Sequence, residues 1–540
     1  MASDPAADVE IAELLRQVGT TDGDELRDAL DQLGLALGAY GPLRSTARSA
    51  VPLLMTMVEG DLTRQPLGVV RLLGRLAPPP GERDFAAETD QGYAPEPQVD
   101  PLRPMVRDLL GTHLDGLLRL LRDGDSELRA ATARLLAGLP DQAATTLPAL
   151  MTAADRERDP VAHASFVLAV GALRRDAPLR DKPRVAGWLE VRLTPGEDPM
   201  VRAAAAVAAA WLGIAPSRSR ALLRATAAAP PPDLTDEFVW SECGRDAFLA
   251  SAFPDDMAYA VELVHAAASS TDPERRHQAV CFGKEVMRRW RSAPAAVVSV
   301  LAPLATDPSP RVRQHAVHTL ALAGQATALV GDLLAELVTD AEVTSRDDAW
   351  PTVAESARYG LARHGDPRCL PSVRQALAGA APAAWLAESL AGVAGYADEL
   401  LPDVDRALSA DADPARLTAV LSGIRGWGDR LVPLADPLLR LTSRPQWTEV
   451  PGGLPGVLGA LGSRAARAEP YLRGLLGHEL AGVRAVAAVA LWRVTGDADA
   501  ALWTLRELAA QTGPRPRPPA DAPAQPRAGR PPPAARRCRG

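Results

Sequence analysis

Lysine is almost missing from this chain of 540 residues: Lys182 and Lys284 stand alone, and the remaining 57 of the 59 basic residues are arginine. With so much Ala, Gly and Pro, that bias reads as the codon usage of a GC-rich bacterial genome and carries no activity. Aromatics make up 4%, too few for a sheet protein, since strands favour β-branched and aromatic side chains. The cysteines Cys243, Cys281, Cys369 and Cys538 lie far apart, with no CxxC pairing. They read as reduced thiols, three of them buried in helices. A long apolar run is also lacking. The most apolar stretch, 203–215, has 13 residues, against the roughly 20 that a bilayer span needs. The opening Met-Ala-Ser-Asp-Pro is acidic and has no apolar run, so no signal peptide and no membrane association are expected, and a cytoplasmic location follows.

The formal charge is −8, unevenly spread, because residues 513–540 hold seven Arg against one Asp and leave the rest of the chain at −14. An acidic body argues against general nucleic-acid affinity, which depends on neutralising phosphates with Lys and Arg. A single core stops growing at roughly 250–300 residues. A chain of this length therefore needs several cores or an array in which each unit packs only on its neighbours.

An array is what the glycines describe. Gly324, Gly365, Gly395, Gly428, Gly462 and Gly496 recur in steps of 41, 30, 33, 34 and 34 residues. Each follows an alanine-rich apolar stretch with apolar residues four and eight positions earlier, such as Leu320 and Ala316 before Gly324. A spacing of four is one helical face, and a glycine beyond it is a common helix stop. A second marker, an apolar residue then Arg, opens the same helices: Leu128-Arg129, Val201-Arg202, Val312-Arg313, Val483-Arg484 and, more loosely, Arg275-Arg276. Asp125, Asp198 and Asp272 stand four residues before Arg129, Arg202 and Arg276, while Asp307 stands six before Arg313 and Arg484 has no such Asp. A third marker, apolar-Pro, falls near the start of the other helix of each unit, as at Pro52, Pro148, Pro371, Pro402 and Pro433. Proline is tolerated in a first helical turn.

The unit is thus a helix A with an early proline, a turn with Asp, and a helix B running from apolar-Arg to Gly or Gly-Asp. That pattern resembles the HEAT repeat, in particular the short bacterial form named after phycobilisome lyases. The tetratricopeptide repeat has a similar length, but its Trp-Leu-Gly-Tyr-Ala-Pro pattern is not kept. The resemblance implies an all-α, right-handed α-solenoid of about a dozen HEAT-like helix pairs. It divides the chain into 1–77, a helical cap with a divergent first unit; 78–104, an acidic irregular loop; 105–512, the solenoid; and 513–540, a Pro/Arg-rich tail with nine prolines, expected to be disordered.

The family implies scaffolding, so the function read here is a non-catalytic scaffold that holds a protein partner or extended segment on a concave helix B surface. Partner-binding candidates lie where the period breaks: Phe85 and Tyr93 in the loop 78–104, Trp350 in an enlarged turn, and Trp447 beside Pro445. Tryptophan and arginine are enriched at binding hot spots. The repeated pairs around Asp125, Arg129, Asp198, Arg202, Asp272, Arg276, Asp307, Arg313 and Arg484 read instead as a structural ladder. An Asp in the turn caps helix B and accepts from the Arg of its own or the next unit, as stacking of repeats requires.

No Gly-x-Ser-x-Gly elbow, His-paired cysteine or phosphate loop is present. His478-Glu479 is the sole His-Glu pair, whereas deoxyhypusine hydroxylase, also a HEAT protein, uses repeated ones for a di-iron site. His315 and His318 share a helix, but no carboxylate is spaced with them, so they read as surface or groove histidines and no metal or cofactor is expected. The alternative class is a HEAT-like enzyme acting on nucleic acid, of the alkylpurine DNA glycosylase kind, although no catalytic residue matches and nucleic acid is disfavoured by charge. A bilin lyase is a resemblance of name alone.

Overall fold

The computed structural model describes residues 5–39, 42–60, 62–63, 65–79, 100–175, 183–235, 238, 240, 244–339, 352–379, 385–409, 414–443 and 453–512. Among the described residues every regular element is an α- or 3-10 helix, and there is no strand. They form two compact units, residues 1–360 and 361–540, with the boundary inside the helix Val353–His364. Each unit has the two-row packing of an α-solenoid.

In the first unit the B row runs through Pro66–Leu76, Ser126–Ala137, Pro160–Arg174 and Pro199–Trp211, each packed along the next. Further on, Pro273–Arg289 packs on Pro310–Ala321 in the same way. Between them come A helices such as Ala47–Glu59, Ala143–Ala154 and Met257–Ala268. Helices Pro5–Thr20 and Gly23–Leu37 pair with each other ahead of the first of these.

Local chemistry explains where the B helices begin. Asp159-Pro160, Asp198-Pro199 and Asp272-Pro273 place an Asp at the N-cap and a Pro at the first helical position, where its missing N–H leaves nothing unpaired. Asp198 accepts from the Met200 N–H at 2.7 Å, and Asp125 accepts from the Glu127 N–H at 2.9 Å. Burial explains why these helices are so rich in alanine. Pro199–Trp211 packs on the B helix Pro160–Arg174 and on the helices Pro183–Arg192 and Pro216–Ala228, and it buries nine residues from Met200 to Ala209. Only small side chains fit when helices crowd from three directions. A Cβ on Gly171 would come within 2.6 Å of the Ala208 Cβ, and one on Gly138 within 1.9 Å of the Ala77 carbonyl oxygen.

The A helices bury a single stripe. In Ala397–Ser409 of the second unit it is Ala397, Leu400, Val404, Ala407 and Leu408, the three-and-four spacing of an amphipathic helix. The B row of that unit is Leu386–Gly392, Pro414–Ile424, Leu454–Leu461 and Ala481–Thr495. Here a 3-10 segment leads into several A helices, as with Arg425–Leu434 before Ala435–Leu441 and Gly462–Ala468 before Glu469–Leu475.

Two local expectations need correction. Gly324, Gly365, Gly428, Gly462 and Gly496 do take a positive φ, between 59° and 78°, but Gly395 lies inside the 3-10 turn Ala394–Tyr396 and stops nothing. Pro52, Pro148 and Pro402 are not in the first turn; each is the sixth residue of its helix. Such an interior proline removes one backbone hydrogen bond, which a helix held by its stripe of buried side chains tolerates. Of the cysteines, Cys369 is buried, Cys281 is exposed, and Cys243 and Cys538 lie outside the described residues.

Candidate functional site

Phe85, Tyr93, Trp350 and Trp447 all lie outside the described residues, as does most of the loop 78–104. Asp100, at the far end of that loop, is buried and accepts the Leu43 N–H at 2.7 Å, so this acid serves the fold. Trp427 is buried and its indole N–H donates to the Leu390 carbonyl at 3.0 Å, whereas Trp492 is exposed.

The Asp and Arg pairs have a definite geometry. Arg129 makes a bidentate contact with Glu157 at 2.8 and 2.9 Å, and its third nitrogen donates to the carbonyls of Asp123 and Gly124 in its own turn. Arg276 repeats the arrangement with Asp307 at 2.6 and 2.9 Å and with the carbonyls of Ser270 and Thr271. The acid comes in each case from the next repeat. The Asp four residues earlier does another job: Asp125, Asp198 and Asp272 cap their own helices. Asp307 is no cap, since Ser309 holds that place; its carbonyl accepts from Arg313 instead. Arg484 donates to the carbonyls of His478 and Glu479. Arg202 keeps the register, but its Nε is buried without a hydrogen bond among the described residues. These contacts tie Arg129 and Arg276 to carboxylates of the next repeat, so these two are not free cations.

Among the described residues, a groove and a side-chain cluster are open to a ligand. The first is a groove of about 490 Å³ on the B row of the second unit. It is lined by Gly456 and Gly459 of helix Leu454–Leu461 and by Val486 and Val489 of helix Ala481–Thr495, and its two charged lining residues are Arg425 and Arg493. At both glycines a neighbour already occupies the side-chain position, so they bring the lining elements close together. A Cβ on Gly459 would stand 3.0 Å from the Ala490 Cα, and one on Gly456 would stand 2.8 Å from the Arg425 Cδ. Val486 is 40% exposed in this lining, and Trp492 of the same helix is 49% exposed.

The second place joins two neighbouring B helices of the first unit. His277 and Cys281 lie one helical turn apart on Pro273–Arg289, and His315 comes from Pro310–Ala321. The His277 Nε2 is 2.6 Å from the His315 Nδ1, and one ligand atom of each of the three residues lies within 4.8 Å of the others. On the far side of its ring, the His277 Nδ1 is 3.7 Å from the Glu274 carboxylate, which Arg311 holds at 3.0 Å. Burial, then the charge of Arg311, pushes His277 down to about 4, so its imidazole is neutral at pH 7. His318 is likewise pushed down to about 4, first by burial and then by Lys284 and His315. His315 is therefore neither a plain surface nor a plain groove residue, and its partner His277 was not singled out by the sequence. The signal was there: His277 and Cys281 are spaced i, i+4, and His315 follows His277 after 38 residues, one repeat later. His478, by contrast, accepts the Leu480 N–H at 3.0 Å in an exposed turn and gathers no ligand set.

No family model matches this sequence, and no curated protein matches it either. Solved structures do. They include Kap95p with RanGDP, at 12% identity and a TM-score of 0.39, covering 94% of this chain and 63% of that one. Kap121p bound to Nup53p gives 12% identity and a TM-score of 0.35, over 95% and 56% of the two chains. The Kap95:Nup1 complex gives 14% identity and a TM-score of 0.37, over 93% and 63%. The chain thus spans less than two thirds of the length of these proteins. At such TM-scores the likeness transfers neither partner nor activity. No helix among the described residues is long and apolar enough to cross a membrane.

Proposed function

We propose that this protein is a non-catalytic interaction scaffold whose second unit binds an extended, acidic-apolar segment of a partner protein along its B row. The observation that carries the reading is the groove lined by Val486 and Val489 and flanked by Arg425 and Arg493. An extended chain lays small apolar side chains against Val486 and Val489, while its carboxylates meet the two guanidinium groups, which suit carboxylates bidentately. The groove is lined without an acidic residue, so charge selects against basic segments. Recognition of this kind is complementarity along a surface, with affinity concentrated in a few anchors.

Fluorescence anisotropy with a short acidic-apolar peptide and its Lys-substituted counterpart tests the reading. The acidic peptide should bind, the basic one should not, and Arg425→Glu with Arg493→Glu should weaken binding by about tenfold or more, or roughly 1.4 kcal/mol. Equal binding of both peptides, or binding that ignores the double substitution while the far-UV signal is intact, would overturn it.

A further inference from the structure

We infer that His277, Cys281 and His315 form a binding site for one borderline-soft transition-metal ion, Zn2+ in type, with a fourth coordination position open to solvent. The donor set decides the class of ion. Two imidazoles and a thiolate suit Zn2+ and its neighbours in the first transition row, while Mg2+ and Ca2+ call for oxygen ligands. Three protein ligands plus an open position is the arrangement of zinc sites that take a water or an outside ligand. Cys281 is exposed, His277 is buried and His315 lies between these extremes, so the open side of the set is the thiol side.

The geometry needs only small adjustments. Around Zn2+, with Zn–N near 2.0–2.1 Å and Zn–S near 2.3 Å, tetrahedral ligand atoms stand roughly 3.3–3.6 Å apart. Here the two imidazole nitrogens are 2.6 Å apart and the thiol sulfur is within 4.8 Å. The imidazoles must part by under about 1 Å, and the exposed Cys281 side chain must turn in. Two lone pairs facing each other across 2.6 Å repel unless a proton or an ion lies between them. Without the ion one of the two facing nitrogens carries a proton and donates it to the other. On binding, that imidazole shifts its proton to its other ring nitrogen through solvent, with no change of charge, and the Cys281 thiol proton is released to solvent. Glu274 beside the His277 Nδ1 favours the tautomer with the proton on that nitrogen, leaving Nε2 to the ion, a common outer support for metal-bound histidine. Arg311 and Lys284 bring positive charge near the two histidine-bearing helices, and the thiolate and Glu274 oppose it.

The test is Co2+ titration of the reduced, metal-free full chain, read by absorption. One Co2+ per chain with a thiolate-to-metal charge-transfer band is expected. Cys281→Ser, a conservative change at an exposed residue, should abolish that band. His315→Gln should weaken binding at least about tenfold, and Glu274→Gln should weaken it by a similar or smaller factor. Cys369→Ser, Cys243→Ser and Cys538→Ser should leave the band unchanged. No binding at equimolar metal overturns the site, as does a band that survives Cys281→Ser or vanishes with one of the other cysteines. Far-UV spectra of each variant separate lost ligation from lost folding.

Discussion

Arg276 touches two repeats at once, and its surroundings show what such a residue contributes. Its guanidinium holds Asp307 of the next repeat by two hydrogen bonds and the Ser270 and Thr271 carbonyls of its own turn, while the Asp307 side chain is only 3% exposed. Removing the arginine leaves a buried carboxylate poorly paired, so Arg276→Ala should cost about 1–3 kcal/mol in urea unfolding at pH 7. Arg276, and against it burial, set the Asp307 carboxyl below its ordinary value, with the Ser309 N–H helping. A depressed carboxyl stabilises above its unfolded pKa, and this contribution is lost as pH falls through the folded value. The cost of Arg276→Ala should accordingly shrink in acid, and an equal cost at pH 7 and below the folded value would count against the account.

His163 gives a second pH signature in the first unit. Burial, and after it the charge of Arg192, lowers its pKa from the ordinary 6.5, and the Arg192 Nε lies 3.4 Å from its Nε2. A histidine whose folded pKa is depressed binds its proton more readily when unfolded. Its contribution is complete above pH 6.5 and is lost as pH falls toward the folded value. His163→Gln should therefore flatten the fall in stability below pH 6.5, and an unchanged slope would remove this residue from the explanation. At this scale the sequence was partly legible. The spacing of four between Asp and Arg showed a recurring local device, but the true partners Glu157 and Asp307 belong to the next repeat and appear only once repeats are stacked.

At the scale of the element, the B row depends on close approach. Gly138 ends the helix Ser126–Ala137 against the Ala77 carbonyl, where even a methyl group would come within 1.9 Å of that oxygen. Gly138→Ala should force the two B helices apart and destabilise by about 1–3 kcal/mol, read as a lower urea midpoint at unchanged slope. Gly124, with open space at its Cβ position, is the control, and Gly124→Ala should be close to neutral. Glycines at helix ends could be read from the period, because a stop is a local property of the backbone. Gly138, Gly171 and Gly459 as contact points could not, since what excludes their side chains is a helix from another repeat. The same limit moved the prolines: their neighbourhood to a helix start was visible, but the helix began earlier than the marker implied.

For the whole molecule, two compact units and nearest-neighbour packing predict graded stability. Leu491, fully buried in Ala481–Thr495, is a suitable probe. Leu491→Ala should cost about 2–5 kcal/mol locally. Hydrogen exchange should then quicken in Leu454–Leu461 and Ala481–Thr495, while Pro160–Arg174 and Pro199–Trp211 keep their protection. A uniform rise across both units would show a single cooperative block instead. The groove and the histidine-cysteine cluster lie in different units, so substitutions in one are expected to leave ligand binding at the other unchanged.

The shortage of lysine decided nothing about the fold and that of aromatics spoke against a sheet protein, whereas the repeated glycine, arginine and proline determined an all-helical array. That much is local, because helix formation, capping and amphipathic spacing act within about four residues along the chain. Tertiary structure alone decided which residues meet. It turned Arg129 and Arg276 from a possible basic stripe into links between repeats, opened a groove beside Val486 and Val489, and set His315 against His277 and Cys281. Those contacts depend on the register between helices a whole repeat apart, a quantity set by packing and not by any short stretch of sequence.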